Sequence, residues 1–185
     1  MEIILKQGKE RSLLRRHPWV YDTAVHKVVG HPAGDTVAVK NKDGRFLAWA
    51  AYSPKSTIRA RVWSFREEDV IDERWLETRL RYAVEARRAL HARTSAIRLV
   101  FGEADGLPGL IVDQYLVTQF QSAGVERFRG VIGEILMKLT GARGVYDRSD
   151  AATRQREGLE IRSECLCGEE PPEEIEVVED GVRYG

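Results

Sequence analysis

Between Leu5 and Val20 the chain places Lys6, Lys9, Arg11, Arg15, Arg16 and His17 within sixteen residues, just past Gly8 and just before Pro18-Trp19. Cations gathered on a short turn are suited to phosphate oxygens, which accept charge-assisted hydrogen bonds from lysine and arginine. A second pair, Arg59 and Arg61, alternates with Ile58, Ala60 and Val62 in a stretch that reads as a strand. Alternation puts the two arginines on one face and continues that face into Trp63 and Phe65. Trp63 and Phe65 are read as packing against the following domain rather than as base-stacking rings. The expected phosphate-binding set is therefore Lys6, Lys9, Arg11, Arg15, Arg16, Arg59 and Arg61, with His17 and Trp19 at the edge of the surface.

Residues that could do acid/base or metal chemistry are present but not grouped. Glu103, Asp105 and Asp113, and the polar run Tyr146-Asp-Arg-Ser-Asp150, have no histidine or activated nucleophile at a readable spacing. No catalytic residue is assigned. Cys165 and Cys167 sit too close for an easy disulfide and lack a second pair, and His17, His26, His31 and His91 are scattered, so no metal site is assigned and the cysteines are read as reduced loop residues. The run Phe101-Gly-Glu-Ala-Asp-Gly-Leu-Pro-Gly109 superficially resembles a nucleotide loop. Such a loop needs a following helix to present its N-terminal amides, and here Leu110-Ile-Val follows, a strand.

The elements that position the basic residues follow from the same text. A strand Glu2 to Lys6 turns at Gly8, where a glycine adopts backbone angles other residues resist. A helix opened near Lys9 is closed by about Arg16, because Pro18 disfavours helical geometry at His17. At about 100° per residue, Leu13 and Leu14 share a face that anchors the turn, and Arg11 and Arg15 face water. Strands Thr36 to Lys40, Arg45 to Tyr52 and Thr57 to Phe65, with a Lys42-Asp43-Gly44 turn, predict a small barrel. Asp72 caps a long helix to about Arg93, on which Arg74, Arg81 and Arg88 form a solvated face. Strands Ile97 to Phe101, Leu110 to Asp113 and Leu116 to Gln121 follow. A helix with Phe128, Val131, Ile132, Ile135, Leu136 and Leu139 at helical spacing ends at Gly141. Strands at Gly144 to Tyr146 and Leu159 to Arg162 complete an α+β layer, and an acidic linker leads to a hairpin opening at Asp180-Gly181.

The 185 residues carry zero net charge by cancellation. Residues 1–66 hold thirteen Lys+Arg against five Asp+Glu, a net of +8, and residues 67–185 hold sixteen against twenty-four, a net of −8. Such asymmetry points to a nucleic-acid-binding half. The lack of an eighteen-residue apolar run and the charged N-terminal strand predict a cytoplasmic protein with no membrane partner.

Several long motifs in order, Lys9-Glu-Arg-Ser-Leu-Leu-Arg-Arg-His-Pro-Trp-Val20, Ala51-Tyr-Ser-Pro54, Ile58-Arg-Ala-Arg-Val-Trp63, Glu103-Ala-Asp-Gly-Leu-Pro-Gly109 and Tyr146-Asp-Arg-Ser-Asp150, run through nearly the whole chain. Together they resemble the bacterial 23S ribosomal RNA cytosine-C5 methyltransferase family, of the class I large-subunit type. The resemblance implies a mixed β and α+β fold: a PUA-like small β-barrel over 1–70, a central β-β-α-β-β domain over 71–170, and an acidic linker and hairpin over 171–185. It implies 23S ribosomal RNA as partner and S-adenosylmethionine as the full-length family's cofactor. The family's Rossmann-like methyltransferase domain and its nucleophilic cysteine are expected beyond Gly185, so no cofactor and no activity are expected of this chain alone. The alternatives are a protein–protein or self-association module, with a homodimer, and a fragment with its own methyltransferase activity.

Overall fold

The computed structural model describes residues 1–30, 33–115, 117–172 and 174–184. His31, the predicted strand start at Leu116 and the end of the hairpin at Gly185 lie outside these residues. The N-terminal part is a mixed six-stranded sheet built from β1 (Glu2–Leu5), β2 (Trp19–Tyr21), β3 (Val25–Val29), β4 (Thr36–Lys40), β5 (Phe46–Tyr52) and β6 (Ile58–Ser64), in the order β2-β6-β5-β4-β1-β3. β1 runs parallel to β4 and antiparallel to β3. Ile3, Leu5, Val20, Val37, Val39, Ala48, Ala50, Ala60 and Val62 from this sheet meet in one buried cluster, which Leu13 of the helix α1 (Arg11–Leu14) closes. The predicted barrel is thus a sheet curled around one core, with β2 and β3 as its hydrogen-bonding edges. β2 and β3 were not predicted: both are short, and neither has more than one buried residue.

The second layer is a five-stranded sheet, order β11-β10-β9-β8-β7, formed by β7 (Arg98–Phe101), β8 (Leu110–Asp113), β9 (Val117–Phe120), β10 (Gly144–Ser149) and β11 (Arg162–Gly168). Helices α2 (Glu73–Ala86) and α4 (Arg129–Thr140) bury Leu76, Leu80, Ala83, Ile132, Ile135 and Leu136 with Leu99, Val100, Leu110, Val112, Phe120 and Val145 of the sheet. Each fully buried aliphatic side chain contributes roughly 1.5–3 kcal/mol, which is what holds helices with periodic apolar faces on a sheet. The short helices α3 (Ala123–Arg127) and α5 (Thr153–Glu157) flank α4 and β10 in sequence. Three strands precede the helical segment, so the observed order is β-β-β-α-α-β-α-β rather than β-β-α-β-β. α2 stops at Ala86 and passes into a 3-10 turn, Arg88–Ala92, short of the predicted Arg93. The last strand is Arg162–Gly168 rather than Leu159 to Arg162, and Cys165 and Cys167 belong to it, half-buried and free, rather than to a loop. A terminal hairpin, β12 (Val177–Glu179) and β13 (Val182–Tyr184), turns at Asp180-Gly181 as predicted. Among the described residues no helix is long and apolar enough to cross a membrane.

The two layers share a seam. Trp63 of β6 is buried there, with its ring edge-on to Trp75 of α2 at 5.9 Å and to Phe128 at 6.3 Å. Gly124 of α3 lies so close that an added Cβ would stand 2.4 Å from Ala51 Cβ and 2.7 Å from Trp63 Cζ2. The reading of Trp63 as an inter-layer packing residue holds. Phe65 instead packs on the first sheet's own core.

Candidate nucleic-acid interface

The basic turn is built as follows. Gly8 takes φ +81° after β1, and α1 forms a single turn from Arg11 to Leu14. The helix ends in a Schellman arrangement: His17 N–H donates to Ser12 O at 3.0 Å, Arg16 N–H donates to Leu13 O at 2.9 Å, and Arg16 adopts φ 64°. Leu13 is buried but Leu14 is 57% exposed, so only one leucine anchors the turn: adjacent helical residues point about 100° apart, and only Leu13 points to the core.

The nine residues predicted to bind RNA do not all reach one surface. Lys6, Lys9, Arg11, Arg15, Arg16 and His17 are exposed. Among the described residues Lys9, Arg11 and Arg15 have no carboxylate partner. Lys6 donates through Nζ to Thr23 O at 2.9 Å, and Arg16 lies over the Phe65 ring at 4.8 Å from its centroid. Trp19 and Arg59 are half-buried, and the Arg59 guanidinium donates to the carbonyl of Pro54.

Arg61 is the correction. Its side chain retains 11% exposure and its Nη2 lies 2.6 Å from Glu157 Oε1, with Glu103 Oε1 at 3.7 Å. Ser56 donates to the same Glu157 oxygen at 2.5 Å. Alternation along β6 does put Arg59 and Arg61 on one face, but at Arg61 that face meets the second layer. A guanidinium already paired with a buried carboxylate is not free to neutralise phosphate.

Glu103 accepts from Trp19 Nε1 at 2.7 Å, Asp105 forms a two-pronged pair with Arg87 at 2.7 and 2.9 Å, and Asp113 does the same with Arg98 at 2.9 and 3.2 Å. The buried Asp147 pairs with Arg129 at 2.6 Å. The carboxylates that sequence suggested as acid/base groups are therefore engaged in structural pairs. The glycine-rich stretch forms a 3-10 turn, Gly102–Asp105, and leads into β8 with no helix after it. On α2, Arg81 pairs with Glu77 at 2.7 Å, and Lys138, together with Arg81, holds that carboxyl below its ordinary titration range.

Sequence reasoning passed over Tyr21, which is 43% exposed and forms an aromatic group with His17 and Trp19. The signal was present as His17, Trp19 and Tyr21 at alternate positions around a buried Val20, the pattern of an edge strand.

The first sheet falls in a recognised class: residues 3–65 match the family model of the PUA-like domain. Over 98% of its length the chain is 43% identical to ribosomal RNA large subunit methyltransferase I of Pseudoalteromonas translucida, and the match takes in 47% of that protein. It is 44% identical to the protein of the same name from Aeromonas salmonicida, again over 98% of this chain and 47% of the relative. The chain thus spans about half the length of the curated relatives it matches. A solved structure from Streptococcus mutans shares the fold with a TM-score of 0.80 over the whole chain and 47% of its own, at 17% identity.

Proposed function

We propose that this chain is the RNA-recognising portion of a 23S ribosomal RNA cytosine-C5 methyltransferase, acting in the cytoplasm, and that it binds RNA without transferring a methyl group. The supporting observation is the turn carrying Lys9, Arg11 and Arg15, exposed and without carboxylate partners among the described residues, on a sheet that matches the PUA-like domain. In this reading residues 1–70 grip the RNA backbone, residues 71–170 support that grip across the seam, and residues 171–185 lead on to the chemistry. S-adenosylmethionine would be held by the part of such enzymes that lies outside the matched half of the relatives. The engaged carboxylates and a glycine-rich turn that leads into a strand support the assignment of recognition, not catalysis, to this half.

The test is equilibrium binding of a labelled 23S fragment to the wild-type chain and to the triple reversal Arg11→Glu, Arg15→Glu, Arg16→Glu. Loss of binding in the reversal, with an unchanged unfolding transition, is expected. Equal affinity of the two proteins contradicts the proposal. Incubation with labelled S-adenosylmethionine and the same RNA is expected to give no incorporation, and incorporated methyl would refute the non-catalytic assignment.

A further inference from the structure

The edge strand β2 carries an aromatic group that neither core uses. His17, Trp19 and Tyr21 have ring centroids 5.8, 6.3 and 6.4 Å apart in pairs. Trp19 stands nearly perpendicular to His17 at 82° and to Tyr21 at 86°, whereas His17 and Tyr21 are 36° from parallel. Trp19 is fixed from the protein side, and the other two rings pack against it. Trp19 N–H donates to His17 Nδ1 at 3.2 Å, Trp19 Nε1 donates to Glu103 Oε1 at 2.7 Å, and the Arg61 guanidinium lies over the indole at 5.8 Å from its centroid. On the outer side the sheet ends, because among the described residues only β6 pairs with β2, and His17 and Tyr21 stay exposed. Immediately N-terminal stand Arg11 and Arg15.

Rings packed against one another, within ten residues along the chain of guanidiniums that have no carboxylate partner among the described residues, suit stacking on bases whose phosphates the cations receive, and rings already ordered lose little freedom on binding. In a duplex the base faces are already stacked, so only unpaired nucleotides can use such rings. The geometry points to a subsite for unpaired nucleotides on β2, in which His17 and Tyr21 stack on one or two bases, Trp19 locks them in place, and Arg11 and Arg15 take the flanking phosphates. This rests on the RNA-binding reading above and adds the conformation of the RNA that the surface selects.

The test compares a labelled single-stranded oligonucleotide with a blunt-ended duplex of equal charge, using wild-type chain, Tyr21→Ala, Tyr21→Phe and the double reversal Arg11→Glu, Arg15→Glu. Tyr21→Ala is expected to weaken single-strand binding by about 5- to 100-fold and duplex binding by less than about twofold, as base–aromatic stacking requires. Tyr21→Phe, which keeps the ring, should restore single-strand affinity and so excludes misfolding as the cause. If Tyr21→Ala binds single strands as wild type does while the double reversal loses both RNAs, the stacking subsite is refuted and the RNA-binding reading survives. If wild type binds neither RNA, both fall. Loss of self-association on sedimentation of Tyr21→Ala, with RNA affinity unchanged, would assign the rings to contact between chains and refute the subsite.

Discussion

Arg16 sits at φ 64°, where a side-chain-bearing residue is strained by about 1 kcal/mol or more and glycine is the usual occupant. Keeping an arginine there places its guanidinium over Phe65 at the edge of the basic turn. Arg16→Gly is therefore expected to leave unfolding stability within about 1 kcal/mol of wild type, strain relief offsetting the lost ring contact, while RNA affinity drops. Chemical denaturation and a binding titration check the two halves of that statement. Arg61 behaves in the opposite way. Its removal would strand the Glu157 carboxylate, whose side chain is 5% exposed, so Arg61→Ala should lower stability by about 3–5 kcal/mol in a urea melt. Exposure of Arg11 and Arg15 was legible from helical spacing alone. The fate of Arg61 was not, because a strand's alternation reveals a shared face but not what covers it, and Glu157 lies 96 positions away. Cys167 adds a chemical prediction. Burial, reinforced by Cys165 and Glu134, pushes its thiol above the ordinary range. At neutral pH it is held protonated, so alkylation by iodoacetamide should be slower than for a free cysteine and accelerate as pH rises past the usual thiol range.

Among the elements, those with a sustained period were the readable ones. α2 follows an N-cap at Asp72, whose carboxylate accepts from Trp75 N–H at 2.8 Å, and α4 ends at Gly141 in the left-handed conformation. Asp72→Ala should cost about 1 kcal/mol, measurable as a lowered unfolding midpoint. Its far end was misplaced because the helix gives way to a 3-10 turn over Arg88–Ala92, which keeps much of the same apolar spacing. β2 escaped prediction because its alternation spans only three strand residues, and β3 because none of its five residues is buried. β11 was predicted too early in the chain, at Leu159 to Arg162, because its burial is intermediate at several positions and Cys165 and Cys167 read as a polar loop among glutamates. α3 carries the tightest test at this scale. Gly124→Ala would drive a methyl into Ala51 and Trp63, and a thermal melt should show a destabilisation of about 1–3 kcal/mol.

For the whole molecule, the +8 of residues 1–66 and the −8 of residues 67–185 divide between two layers that use their charges differently. In the second layer many charges are used on one another, as in Arg87–Asp105, Arg98–Asp113, Arg129–Asp147 and Arg154–Glu126. In the first, the turn after Gly8 keeps its cations facing water. The seam at Trp63, Gly124 and the Arg61–Glu157 pair fixes the layers against each other, and it also orients Trp19 through Glu103. Composition revealed the division of charge but not this seam, since its contacts join residues far apart in sequence. A basic surface that works by displacing counterions has a characteristic salt response. Four phosphate contacts, from Lys9, Arg11, Arg15 and Arg16, give a log–log slope of affinity against salt near −3 on single strands. Measuring that slope with a single-stranded ribosomal RNA fragment is the most direct check: the surface described here predicts about −3 for wild type, flattening by about 1.4 in the Arg11→Gln, Arg15→Gln variant, and a salt-independent affinity, or none, would contradict it.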